Sequence, residues 1–263
     1  METSLPTVDA AIHLAGLYRF GSTFTENYRA NVIGTQTLLD ALRPFAPSRV
    51  LFASTYAVGI GSAQLKNAAL PSLPAKKHAY AYTKTLAERL LEAASLQQGH
   101  STEIFRLGIL TGDSLEGRIE KLDGPYGIYK NLLKVANFAP KTFPMWIPAN
   151  PKALLPLVAV DEAARVIVGA ALAQPEPGIQ YRSVFRPDSV SVAEFTDAVK
   201  EQIWNSTRKR MIPLFKPIEG ISENLDYAQW ICQFDQDSTQ HQLSHWSALK
   251  KSFFEGADRR ASK

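Results

Sequence analysis

The sequence predicts an α/β protein built on a parallel, wound sheet, and three observations carry that expectation. Strand-like apolar runs alternate with stretches of helical spacing, the pattern that places helices over a parallel sheet. The run at 49–53, RVLFA, is almost continuously apolar, as expected where both faces of a strand are covered. Each early run also gives way to Gly, Ser or Thr, the residue types found where such sheets present ligand sites at strand ends.

Taken in order, residues 9–16 (DAAIHLAG) read as a short buried strand ending in a glycine turn. Residues 23–42 carry Tyr28, Val32, Thr35, Leu38, Leu39 and Leu42 at helical spacing. The second strand, 49–53, leads into the polar stretch STYAVGIGS, and residues 84–97 set Ala87, Leu90, Leu91 and Ala94 on one helical face. Residues 102–107 form a third strand. From 112 to 156 the text turns to Gly, Pro, aromatic and charged residues, which reads as a substrate-facing lobe. A strand at 158–160 precedes Asp161, an expected N-cap for a helix over 162–173. Residues 181–185 are strand-like, and Ser191 with Glu194 makes a capping box that opens a helix to about residue 204. Beyond 211 the expectation is short helices, loops and a fraying tail.

Composition narrows the function classes. Lys and Arg number 29 against 25 Asp and Glu, a net charge of +4 with no long basic block, so no nucleic-acid partner is expected. A single cysteine, Cys232, excludes an intrachain disulfide and fits a reducing, cytoplasmic setting; the N-terminus has no secretory pattern. The longest uncharged run, 50–65, is too polar for a membrane span. His241 and His245 are spaced i, i+4 but lack an intervening Glu and a third ligand, and His100 has no metal-like partner, so no metal site is expected. Asp9 reads as a turn residue and His78 as a surface position at a helix start. Trp204, Trp230 and Trp246 read as packing residues, with Trp146 a candidate lid over substrate.

The chemistry-bearing set is Thr55, Tyr80 and Lys84. Tyr80 and Lys84 lie four apart, on one helical face, where an ammonium beside a phenol lowers the phenol pKa and equips it for proton transfer. Thr55 sits at the carboxyl end of the second strand, placed to hold a substrate carbonyl.

Around these residues the chain resembles the extended short-chain dehydrogenase/reductase family. VLFAST at 50–55 and YAYTK at 80–84 match its strand and Y-x-x-x-K motif, DAAIHLAG at 9–16 its D-x-x-x-H-x-A strand, and NVIGTQTLLDA at 31–41 its N-V-x-G-T helix. FRLGILTGDSLEG at 105–117 is similar to the R-P-G segment, with Leu107 where relatives carry Pro. Residues 112–126 and 154–167 look like the thioester-reductase or fatty acyl-CoA-reductase branch, with Glu116 and Gly127 departing from its pattern. The resemblance implies a Rossmann-like domain over 1–111 and a smaller α/β substrate lobe over 112–263, interleaved with the last strand and helix of the core at about 154–185. It implies an oxidoreductase that moves hydride between NADP or NAD and the carbonyl or alcohol of a small-molecule substrate. Tyr80 would be the acid/base, Lys84 would hold the nicotinamide ribose, Thr55 would bind the carbonyl, and Asn31 would support the set. His13, Ala15, Gly16, Ser54, Leu107 and Ile109 would line the cofactor. A nucleotide-sugar epimerase or dehydratase would use the same tyrosine and lysine.

In this family a G-x-x-G-x-x-G turn holds the cofactor pyrophosphate, and the sequence contains none; Gly59 and Gly61 follow the second strand and lack a third glycine. Only residues 1–8 precede the first strand-like run, fewer than the roughly 30 of a βαβ unit. The expectation is a sheet lacking its first strands, as a truncated reductase or a natural short form. Such a form would be a catalytically silent binding or scaffold protein, or would associate, as a homo-oligomer or otherwise, through the exposed sheet edge.

Overall fold

A computed structural model describes residues 8–19, 21–59, 79–120, 122, 124–186, 188–216 and 243–261. His78, Gly61, Trp230, Cys232 and His241 lie outside the described residues. The chain divides into two units, Met1–Leu107 with Arg165–Val184, and Gly108–Ala164 with Phe185–Lys263.

The first unit is organised by one parallel sheet. β1 (Ala10–His13), β2 (Arg49–Thr55), β3 (Ser101–Leu107) and β8 (Ile179–Val184) pair in the order β1-β2-β3-β8, with Ile12 opposite Leu51 and Phe52 opposite Ile104. Val50, Leu51 and Phe52 are buried together because both faces of β2 are covered. The 23–42 stretch begins at a capping box, in which Thr23 and Glu26 satisfy each other's backbone N–H, and forms α1 (Phe24–Asn27). It continues through a π-helical turn (Tyr28–Ile33) into α2 (Gly34–Leu42). α3 (Ala79–Gln98) is longer than the spacing predicts, and its Ala87, Leu91 and Ala94 pack with Leu39, Val50, Phe52 and Ile104.

The second unit contains α4 (Pro125–Phe138), α6 (Val192–Thr207) and α7 (Trp246–Ala261) with small strand pairs. β4 (Ile109–Thr111) pairs with β7 (Leu157–Ala159), and β5 (Thr142–Ile147) with β10 (Arg210–Phe215), both parallel. β6 (Leu154–Leu155) pairs antiparallel with β9 (Val190–Ser191). The Ser191–Glu194 capping box forms as read from the sequence. Gly108 is required where its backbone crosses Pro156, since a Cβ there would sit 2.2 Å from the Pro156 carbonyl oxygen.

Two expectations are corrected. Asp161 lies inside the first turn of α5 (Val160–Leu172) rather than before it, and its carboxylate accepts from Ser114 N and Oγ, both at 2.8 Å. Beyond 211, where short helices and loops are expected, the described residues form β10 and the long α7, and Phe253 of α7 stacks on Tyr126 at 4.0 Å between ring centroids. Apolar residues at 249, 253 and 257 give α7 a buried stripe that a count of its many charges hides.

The C-terminal end of α5 is held by Arg49, whose guanidinium donates to the carbonyls of Ala170 and Ala173 while itself buried beside the sheet. Arg49→Met, which keeps the stem and removes the donors, is expected to lower unfolding free energy by about 1.5–3 kcal/mol. Urea denaturation of the two proteins measures it.

Candidate active site

The site grows from the carboxyl ends of β1 and β2 and the first turns of α3. β2 ends at Thr55, which is buried, and the hydroxyls of Thr55 and Tyr80 are hydrogen-bonded to each other. The Tyr18 ring packs edge-on against Tyr80 at 5.0 Å. Lys84, one turn further along α3, is only 3% exposed. Its ammonium donates to the Ala53 carbonyl at 2.6 Å and lies 4.0 Å from the centroid of the Phe52 ring. Burial lowers the Lys84 pKa to about 8, against a smaller opposing pull from Glu88.

The same burial corrects one expectation. Tyr80 is pushed up to about 12, because loss of hydration outweighs the hydrogen bond from Thr55. Spacing alone put a lowered phenol beside an ammonium. In the structure the ammonium donates to the Ala53 carbonyl and faces the Phe52 ring.

Asn31 is placed by the π turn, in which Gly34 N–H donates to Arg29 O, a bond one residue longer than in an α-helix. Its Oδ1 accepts from Leu17 N at 2.6 Å, and its Nδ2 donates to Thr83 Oγ1 at 3.0 Å and to Leu17 O at 3.3 Å. Asn31 thereby ties the segment after β1 to the residue preceding Lys84. A Cβ on Gly16 would meet Asn31 Oδ1 at 3.3 Å and Lys84 Nζ at 3.7 Å, so glycine keeps this approach open.

His13 and Ser54 point elsewhere. Thr35 Oγ1 donates to Asn31 O at 2.7 Å, so His13 Nε2, 2.9 Å from that hydroxyl, is the donor between them. Burial, helped by the Lys84 charge, holds His13 neutral with a pKa near 4. Ser54 Oγ donates to Glu88, whose carboxylate also receives Arg106 at 2.9 Å, and Arg106 stands over the Tyr181 ring at 4.5 Å. Sequence reading missed Glu88, Arg106, Thr83 and Tyr18. Glu88, four residues after Lys84, carried the available signal, a second charge on the face of α3 that also presents Ala87 and Leu91. Ala15 and Leu107 belong to this unit, whereas Ile109 belongs to the other, where its N–H donates to Pro156 O at 2.7 Å. No group of His, Cys, Asp and Glu able to hold a metal occurs among the described residues.

Residues 1–167 match the model of an NAD-binding family described as male sterility protein. A curated relative, short-chain dehydrogenase/reductase family 42E member 1 of Danio rerio, is 28% identical over 153 residues, covering 56% of this chain and 38% of that protein. The match thus spans well under half of that relative. Among solved structures, UDP-glucuronic acid 4-epimerase from Bacillus cereus, in complex with UDP-glucuronic acid and NAD, superposes with a TM-score of 0.64 at 16% identity, over 96% of this chain and 76% of its own. MoeE5 in complex with UDP-glucuronic acid and NAD gives 0.61 at 20% identity, over 96% and 80%. RMD from Pseudomonas aeruginosa complexed with NADPH gives 0.60 at 15%, over 95% and 82%. These likenesses establish the Rossmann-like fold.

The buried neutral His13 sets a pH dependence. Its folded pKa, about 4, lies below its ordinary value of 6.5, so over that interval the unfolded chain binds more protons and stability falls as pH drops. His13→Gln is expected to remove about 2 kcal/mol of the loss between roughly pH 6.5 and pH 5. Denaturant midpoints across that range, native against variant, check it.

Proposed function

The chain belongs to the NAD-binding male sterility protein family of extended short-chain dehydrogenases/reductases, and from that premise we propose that it is an NAD(P)-dependent oxidoreductase acting on a carbonyl or alcohol substrate. The observation that carries the reading is the cluster of buried Thr55 and Lys84 with half-buried Tyr80 at the carboxyl ends of the strands, with Gly16 keeping space beside the Lys84 ammonium.

The residues present fit the nicotinamide-ribose end of such a cofactor. Lys84 has three N–H donors and one bond to Ala53, which leaves donors for ribose hydroxyls. The cofactor, when bound, supplies or takes the hydride. Tyr80 donates its phenolic proton to the substrate oxygen in reduction, or takes it back in oxidation. A tyrosine held protonated at neutral pH is in the form that can act as the acid when a carbonyl is reduced. Thr55, already bonded to that phenol, holds the same oxygen and aligns the transfer. Asn31 fixes the turn at Leu17 and the start of α3, and keeps the acid and the ammonium in one frame. The side chains of His13 and Ser54 are engaged within the protein, so their part at the cofactor is through the backbone, alongside Ala15, Gly16 and Leu107. We place the protein in the cytoplasm.

The alternative reading is a catalytically silent binding module of the same fold. Titration of nicotinamide fluorescence separates the two: binding of NADPH or NADH below about 1 mM, the upper end of common KM values, is expected, and none would remove the enzyme assignment. Tyr80→Phe is expected to lower kcat roughly 10²- to 10⁴-fold with cofactor affinity little changed. Unaltered turnover would refute its role as acid.

A further inference from the structure

Segments 125–147 and 202–216 contain seven Lys and Arg and no Asp or Glu, although the whole chain carries only +4. The fold brings the two segments together at one end of the second unit. β5 and β10 pair in parallel from Thr142 opposite Arg210, Arg210 N donates to Lys141 O at 2.9 Å, and Lys209 Nζ reaches Asn137 O at 2.8 Å across the end of α4. Among the described residues none of the seven is paired with a carboxylate. Of the acids on the packed helix α6, Glu194 is held in the capping box with Ser191, and Asp197 and Glu201 are bonded to Lys200 and Lys250.

The same end is apolar where it protrudes. Phe138, the last residue of α4, is 93% exposed. Met211 points into the core, so its strand neighbours Arg210 and Ile212 face outward, and Trp204 lies beneath Arg208 and Arg210 at 5.9 and 5.5 Å. These cations, with exposed aromatic and aliphatic side chains among them, are neutralised by no carboxylate within the described residues.

We propose that this end is a docking surface for an anionic phospholipid bilayer. The cations meet lipid phosphates and carboxylates, while Phe138, Ile212 and Trp204 enter the headgroup boundary, where aromatic rings with one polar side are favoured. The aliphatic side chains decide against nucleic acid. Ile212 and the exposed Val135 offer nothing to a phosphate or a base edge, but they gain by leaving water for lipid. No described helix is long and apolar enough to cross a membrane, so the contact is peripheral.

Flotation of the full chain with vesicles tests the proposal. Binding is expected to vesicles of phosphatidylcholine mixed with phosphatidylserine, to be absent with phosphatidylcholine alone, and to fall as salt is raised. Arg208→Gln combined with Arg210→Gln should weaken partitioning roughly 25-fold, at about fivefold per cation, and Phe138→Ser should weaken it without changing the salt dependence. All three positions are exposed, so thermal melts of these variants should match the native protein. Equal flotation with neutral vesicles, no flotation with anionic ones, or variants that float like the native chain would overturn the proposal. Binding of a single-stranded oligonucleotide without vesicle binding would overturn it in favour of a nucleic-acid surface.

Discussion

The carboxamide of Asn31 is the constraint on which the site depends. It is 2% exposed and bonds to both backbone groups of Leu17 and to Thr83, so one side chain joins the segment after β1, the π turn and the start of α3. A buried amide with these partners withdrawn would leave orphaned polar groups, each costing about 1–3 kcal/mol. The arrangement therefore admits few alternatives. Thr83 precedes Lys84 and Tyr80 lies one turn earlier, so the positions of phenol and ammonium follow from that one anchor.

Beneath the anchor lies a layer of buried polar bonds that keeps charges where the sheet alone would not. Glu88 is enclosed by α3 and the strands, and it is sustained by Ser54 and by Arg106, whose guanidinium is in turn covered by Tyr181. Such a carboxylate, desolvated and paired, does little for net stability but fixes one geometry. It also explains why Lys84 keeps partial basicity in an apolar setting. Burial drives the proton off, and Glu88 opposes it.

The sequence made much of this legible, for identifiable reasons. β2 could be read because a strand covered on both faces must be apolar throughout, and α3 because Ala87, Leu91 and Ala94 repeat at the helical period. The grouping of Thr55, Tyr80 and Lys84 followed from strand-end and helix-face placement, and the fold brings them close. What spacing could not reveal was solvation: Tyr80 and Lys84 sit four apart in any helix, but only the packed structure shows burial governing both and Ala53 engaging the ammonium. The π turn was equally hidden, since Tyr28, Val32 and Thr35 suit either helix. α7 was missed because its buried stripe of Leu249, Phe253 and Ala257 is diluted by charges on the remaining faces.

The π turn has a consequence for how this chain can change over generations. A five-residue hydrogen-bonded turn accommodates one residue more than an α-helical turn, so deleting any one residue between 28 and 33 would let the helix relax to regular form. Everything after it would keep its register, since the residue removed is the one the wider turn had absorbed: Thr35 would stay against His13 and Leu39 beside Phe52, and only the placement of Asn31 inside the turn would be lost. A deletion in the regular turns that follow has no such outlet and would rotate everything after it by about 100°. Length changes in this helix are therefore tolerable to the fold at the π turn alone, and there only at the expense of the Asn31 contacts.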